Sequence, residues 1–148
     1  MKIAIGSDHA GFIMKEAIKG LLAELGHSYE DFGCYDSAAV DYPDIAFSVS
    51  DAVTQGEFQQ GILICGTGIG MSMVANRVPG IRAALCSDTF SARAARAHND
   101  ANILCIGERV IGQGLARDVV ATYLDSEFVG GRHARRLEKV HAREQNEA

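Results

Sequence analysis

The stretch Gly61-Ile62-Leu63-Ile64-Cys65-Gly66-Thr67-Gly68-Ile69-Gly70 joins an apolar run to a glycine-rich turn, and a helical pattern follows over 71–77. The run is short and continuous, which predicts a buried strand. A turn between strand and helix directs several backbone N–H groups to one point, where a phosphate, an enolate or the thiolate of Cys65 is stabilised. Free cysteine is also a common core residue, so the rest of the chain has to separate these two roles.

Strand-like and helix-like patterns alternate along the whole chain. Short apolar runs predict strands over 2–7, 28–32, 61–65, 81–86 and 102–106, with amphipathic helices between them. This alternation predicts an α/β fold, a doubly wound, mostly parallel five-stranded sheet with helices on both faces (a Rossmann-like α/β/α sandwich) and a polar C-terminal helix. The length of 148 residues predicts a single domain over 1–148, with a peripheral tail from about 141.

Composition excludes several classes of protein. Apolar residues make up 47% and charged residues 22%, as in ordinary globular domains, and the net charge of -5 argues against a general nucleic-acid binder. The four cysteines form no CxxC pair and have no zinc spacing, which is typical of a reducing compartment. No signal-peptide layout and no apolar stretch of ~18 residues is present. We expect a cytoplasmic protein that binds no membrane, nucleic acid, metal or cofactor.

Ligands of such sheets bind outside the carboxyl ends of the strands. That rule selects the residues at 7–9, 65–70, 87–88 and 107–109. Among them, His9 suits proton transfer, Arg109 suits contact with an anion, and Asp8 can equally be a helix cap. The first turn lacks the G-x-G-x-x-G pattern of dinucleotide binding.

Two further groups lie near helix ends. His98 and Asn99 follow a predicted helix, where a histidine taken alone is more often only a partner of the helix dipole. Arg132 and Arg136 are spaced i, i+4 and so can reach one phosphate, although for a terminal helix a solvated basic face is the more common explanation. A thiol, histidines, the Thr67 hydroxyl and arginines together suit proton transfer beside the carbonyl of a phosphorylated substrate.

Seven stretches in combination resemble the type B ribose-5-phosphate isomerases, a family that also includes galactose-6-phosphate and allose-6-phosphate isomerases. The stretches are 6–11, 40–44, 65–72, 80–86, 97–102, 107–112 and 130–136. The resemblance extends from Met1 to about Val140. It implies an aldose–ketose isomerase of the non-oxidative pentose phosphate pathway, which interconverts ribose 5-phosphate and ribulose 5-phosphate through a cis-enediolate without metal or cofactor.

The resemblance also implies roles for individual residues. Cys65 is similar to the base that moves the proton between C2 and C1, and His98, with Asp8 nearby, to the acid that opens the furanose ring. Thr67 would lie near the reacting oxygens. The remaining substrate-binding positions implied by the resemblance are Gly66, Gly68, Ile69 and Gly70 in the anion-stabilising loop, and His9, Asn99, Arg109, Arg132 and Arg136 around the sugar and phosphate. The family site lies at the subunit interface of a homodimer, and such dimers also pair into tetramers.

Two alternatives remain open from the sequence. An isomerase of a six-carbon substrate, allose 6-phosphate or galactose 6-phosphate, differs only in pocket length, which the sequence does not reveal. A phosphate- or nucleotide-binding module without turnover is the alternative from another class, and it leaves the acid and base residues without a purpose.

Overall fold

The computed structural model describes residues 1–147 and contains five strands and six helices. The strands are β1 (Lys2–Ser7), β2 (Ser28–Asp31), β3 (Gln60–Cys65), β4 (Ala83–Leu85) and β5 (Ile103–Gly107). The helices are α1 (Phe12–Glu24), α2 (Tyr42–Thr54), α3 (Ile69–Ala75), α4 (Thr89–Ala97), α5 (Gln113–Asp125) and α6 (Arg132–Glu147), and a 3-10 turn (His9–Gly11) precedes α1.

All five strands pair in parallel, in the order β2-β1-β3-β5-β4. The order reverses between β1 and β3, because the chain adds β2 on one side of β1 and later returns to the other. A crevice opens at such a reversal, outside the carboxyl ends of the two strands. Asp8 directly follows β1 and Cys65 is the last residue of β3, so the topology brings both to this crevice.

Each face of the sheet is covered by helices, which confirms the predicted architecture. Ile62 and Ile64 point into a core with α1, α4 and α5, while Leu63 and Cys65 point into a second core with α2 and α3. Successive residues of a strand face opposite sides, so this division follows from the period of two. Cys65 is therefore anchored in the α2–α3 core and ends at the crevice.

The C-terminal helix α6 is present as predicted and has no buried residue. The segment before it is tied to the end of α4, where Val129 N–H donates to the Ala97 carbonyl at 3.0 Å. Helix α6 extends to Glu147, so the described part of the segment from about 141, which was expected to be a peripheral tail, is helical. Within it, His141 Nε2 lies 3.4 Å from Arg82 Nη1. None of the described helices is long and apolar enough to cross a membrane.

Candidate active site

A cavity of about 460 Å³ opens at the carboxyl ends of β1 and β3. It is lined by Asp8, His9, Ala10, Tyr42, Cys65, Gly66, Thr67, Ile69, Gly70, Met73 and Arg109. Eight of these are predicted site residues, and Ala10, Tyr42 and Met73 are additions from the structure. We call this cavity the Cys65 half-site.

Cys65 is 5% exposed, and its thiol receives a hydrogen bond from the turn that follows it. Gly68 N–H donates to Cys65 Sγ at 3.0 Å. Gly68 has a φ of 78°, and a Cβ there would lie 2.5 Å from Leu85 Cδ1, so only glycine fits. An N–H directed at sulfur favours negative charge on it. Gly68 is buried and is not among the residues that line the cavity; its N–H is directed at Cys65.

The turn also presents donors to the cavity. Thr67 Oγ1 accepts the Ile69 N–H at 3.2 Å, which leaves the Thr67 O–H free to donate. Among residues 1–147, the Gly70 N–H in the first turn of α3 has no hydrogen-bond partner. Tyr42 packs on this turn so closely that a Cβ on Gly70 would lie 2.7 Å from its ring. Its place in the matched stretch 40–44 was the only sequence signal for Tyr42.

Asp8 and His9 are held by backbone N–H groups. Asp8 is buried, and its Oδ1 accepts from Ala10 N–H at 3.0 Å and Gly11 N–H at 3.1 Å. Asp8 therefore caps the 3-10 turn and also lines the cavity. The Val40 N–H donates to His9 Nδ1 at 3.3 Å, so in the neutral ring the proton lies on Nε2.

The loop after β5 is joined to the Cys65 loop by backbone hydrogen bonds. Glu108 N–H donates to the Cys65 carbonyl at 2.9 Å, and Arg109 N–H to the Gly66 carbonyl at 3.0 Å. The Arg109 guanidinium lies over Gly66, 3.4 Å from the position of a Cβ. Two other strand-end carboxylates cap helices instead of entering the cavity: Glu108 accepts from Met14 N–H at 3.0 Å, and Asp88 from Ser91 N–H at 2.7 Å.

The remaining predicted residues do not line this cavity. His98 lies at the end of α4 in a separate cavity with Phe90 and Ala94. Its ring stacks on His133, with centroids 4.2 Å apart and planes 10° apart. Asn99 lines a different cavity, with Leu137 and Val140, and Arg132 and Arg136 are exposed in the first turns of α6. We call His98, Asn99, Arg132 and Arg136 together the His98 half-site.

Electrostatics distinguish the groups around the two half-sites. Burial, followed by the charges of His98, Arg132 and Arg136, lowers the pKa of His133. Burial and the charge of Asp88 raise the pKa of Cys86 to about 11, so that core thiol stays protonated. Within residues 1–147, no group of three or more His, Cys, Asp or Glu side chains is placed to hold a metal ion.

The chain is similar in sequence and in structure to known sugar-phosphate isomerases. Residues 3–140 match the family model described as Ribose/Galactose Isomerase. The chain is 51% identical to ribose-5-phosphate isomerase B of Clostridium thermocellum, whose structure superposes with a TM-score of 0.98 over 100% of both chains. It is 48% identical over 144 residues to ribose-5-phosphate isomerase B of Escherichia coli, covering 97% of each.

A third relative is named for a shorter substrate. D-erythrulose-4-phosphate isomerase of Pectobacterium atrosepticum is 45% identical over 142 residues, covering 95% of this chain and 93% of that protein. The matched region includes both half-sites, and the resemblance to the type B enzymes is confirmed. The chain belongs to the Ribose/Galactose Isomerase family.

Proposed function

We propose that this protein interconverts ribose 5-phosphate and ribulose 5-phosphate by proton transfer through a cis-enediolate. The observation that carries the proposal is the Cys65 thiol, which receives an N–H hydrogen bond inside a cavity that also holds Asp8, His9 and Arg109. Family membership supports a sugar phosphate as substrate, and two relatives are named for ribose 5-phosphate. A thiolate base, proton donors and anion-binding groups are what this reaction requires.

Cys65 would act as the base in the open-chain sugar. Its Sγ takes the proton from C2 of the aldose, and the C–H electrons form the C1–C2 double bond while the carbonyl oxygen gains negative charge. The C2 hydroxyl proton moves to O1, so that O1 becomes the hydroxyl and O2 the carbonyl oxygen. Return of the proton from Cys65 Sγ to C1 completes the ketose and regenerates the thiolate. Gly70 and Thr67 line the cavity, so the Gly70 N–H and the Thr67 hydroxyl are the donors we assign to that charge. One such donor stabilises a transition state by ~3 kcal/mol.

Ring opening precedes this step for ribose 5-phosphate. An acid donates a proton to the ring oxygen while a base removes the proton from the C1 hydroxyl, and His98 and Asp8 are the pair we assign to these tasks. The phosphate would be held by Arg109 and His9 Nε2–H on one side. Arg132 and Arg136, one helical turn apart on α6, would bind it from the other and orient the sugar against the thiol.

The two half-sites would be completed by a homodimer. Exposed apolar side chains border both: Met73, which is 64% exposed, beside Cys65, and Phe90, which is 74% exposed, beside His98. Ile69, which is 51% exposed, also lines the Cys65 cavity, and large apolar side chains left exposed beside both cavities support an interface there. In the proposed dimer, the His98 half-site of one copy covers the Cys65 half-site of the other, giving two equivalent sites. Two such dimers could pair into a tetramer without changing the site.

A cytoplasmic location is part of this proposal. All four cysteines are free thiols. A catalytic thiol has to stay reduced to accept a proton, and the cytosol is a compartment that keeps thiols reduced.

The direct test is turnover of ribose 5-phosphate by the purified protein and by Cys65→Ala. We expect the substitution to lower kcat by about 10²- to 10⁴-fold, the contribution of a positioned base, with little change in KM. Cys86→Ala removes a buried thiol outside the cavity and is the matched control, with kcat near that of the wild type. A Cys65→Ala enzyme of normal kcat would show that another group is the base.

Substrate length is the second question for this site. The relative named for D-erythrulose 4-phosphate shows that closely similar chains differ in substrate. We expect kcat/KM to be highest for ribose 5-phosphate in a series with erythrose 4-phosphate, allose 6-phosphate and galactose 6-phosphate. A higher value for either hexose phosphate would favour the six-carbon alternative. Nucleotide binding without any turnover would favour a binding module.

A further inference from the structure

His133 is the residue in direct contact with His98, and it has no part in the proposed reaction so far. The two imidazole rings overlap nearly in parallel, 4.2 Å apart and 10° from coplanar. His98 ends α4, whereas His133 lies in the first turn of α6. The segment that leads into α6 is held against the end of α4, because Val129 N–H donates to the carbonyl of Ala97, the residue before His98.

The charges around the stack disfavour protonation of His133. Two imidazolium rings at this distance repel each other, and the adjacent Arg132 and Arg136 add further positive charge. His133 accordingly has a lowered pKa, because burial and the neighbouring His98, Arg132 and Arg136 all disfavour its charged form. The surroundings of His133 therefore disfavour a second positive charge beside His98, and the contact between the two rings is one of stacking.

We propose that His133 is a positioning residue for ring opening, holding the His98 ring in the orientation that presents its proton to the sugar. The stack also joins His98 to the helix that carries Arg132 and Arg136, so the acid and these arginines form one unit. This inference rests on the proposed function, and it holds whichever copy of the chain supplies the Cys65 half-site, since both histidines belong to one chain.

The substrates themselves separate ring opening from proton transfer. Ribose 5-phosphate is a furanose, closed between C1 and the C4 oxygen. Ribulose 5-phosphate cannot close the corresponding ring onto its C2 carbonyl, because its C5 oxygen carries the phosphate. Exchange of a C1 hydrogen of ribulose 5-phosphate with solvent deuterium therefore needs the Cys65 base but no ring opening. A residue that positions His98 should affect the first reaction and spare the second.

The experiment compares His133→Ala, His133→Phe and the exposed α6 control Lys139→Ala with the wild type. Turnover of ribose 5-phosphate is measured beside deuterium incorporation at C1 of ribulose 5-phosphate, followed by NMR. We expect His133→Ala to lower kcat/KM for ribose 5-phosphate about tenfold, part of the ~10²-fold or more that a positioned acid supplies, while exchange changes less than about twofold. His133→Phe keeps a flat ring in the stack and should restore most of the loss.

Three other outcomes would overturn the inference that His133 positions His98. Equal losses in turnover and exchange would mean that His133 only maintains the fold, and unchanged turnover would mean that the stack does not position His98. Failure of His133→Phe to restore turnover would assign the effect to the nitrogens of His133 instead of its stacking. A wild-type protein without isomerase activity would overturn the proposed function itself, which is a separate result.

Discussion

A hybrid dimer offers the sharpest prediction, because one chain places Cys65 and His98 in different cavities. We expect Cys65→Ala and His98→Asn homodimers each to be nearly inactive, since every site then lacks the proposed base or the proposed ring-opening acid. Co-expression of the two variants with different tags allows the hybrid alone to be purified. One site of that hybrid has an intact Cys65 from one chain and an intact His98 from the other, while its second site carries both substitutions.

The expected activity follows from the number of intact sites. If the half-sites come from different chains, the Cys65→Ala/His98→Asn hybrid has one working site of two, which gives about half of the wild-type specific activity. Each parent homodimer should fall by about 10²-fold or more. The assay is the initial rate of ribulose 5-phosphate formation, measured on each doubly purified dimer.

The crossed control places both substitutions on one chain and pairs it with a wild-type chain. In the proposed arrangement each site of this dimer carries one defect, so it should be inactive although it contains the same substitutions in the same number. If each chain built its site alone, the results would be reversed, with the crossed control about half active and the first hybrid inactive. That reversal would refute the shared site.

Three further predictions concern single chains. Iodoacetamide near pH 8 should modify Cys65 and abolish activity, and ribose 5-phosphate should protect Cys65 from this reaction. Burial raises the pKa of Cys86 to about 11, so peptide mass spectrometry should find Cys86 unmodified. Burial raises the pKa of Asp31, but hydrogen bonds from two lysines and a backbone N–H hold it below its ordinary value. Asp31→Asn should therefore lower the free energy of unfolding by about 3 kcal/mol at pH 7, because the buried Lys15 then keeps only the more distant carboxylate of Glu16, 3.8 Å away. Urea titrations should show the difference shrinking below pH about 4, where Asp31 becomes protonated. Gly68→Ala should lower Tm and kcat, since its φ of 78° costs an alanine about 1–2 kcal/mol before any clash, whereas Gly20→Ala in open space on α1 should raise Tm in the same thermal melts.

Much of the fold was predictable because it follows from local patterns. The apolar runs gave all five strands, and the crevice at the ends of β1 and β3 followed from the parallel sheet. Boundaries were less predictable. The fourth strand was expected over 81–86 but spans only Ala83–Leu85, because Arg82 N–H is bound by the Asn102 side chain at 2.8 Å instead of a neighbouring strand. Helix α3 begins at Ile69, earlier than the expected 71, since Gly68 supplies the left-handed turn.

The roles of strand-end carboxylates were not predictable from the sequence. Asp8, Asp88 and Glu108 each follow a strand, and all three accept backbone N–H hydrogen bonds at helix starts, yet only Asp8 also lines the cavity. Which carboxylate enters the crevice depends on strand order, and that order depends on contacts between distant parts of the chain. Tyr42 illustrates the same point, because α2 brings its ring against Gly70 from another part of the sequence.

The glycine turn after β3 differs from a nucleotide-binding loop in where its backbone hydrogen bonds go. Its backbone is committed within the protein: Gly68 N–H binds the Cys65 sulfur, and the Gly66 carbonyl accepts from Arg109 N–H. The end of β5 approaches so closely that a Cβ on Gly107 would lie 2.6 Å from the Thr67 carbonyl. Because the ends of two central strands fix the turn from both sides, the thiol and the free Gly70 N–H keep their relative positions without help from a substrate. Such preorganisation is what stabilisation of an enediolate requires, since donors that had to reorganise during the reaction would lose much of their effect.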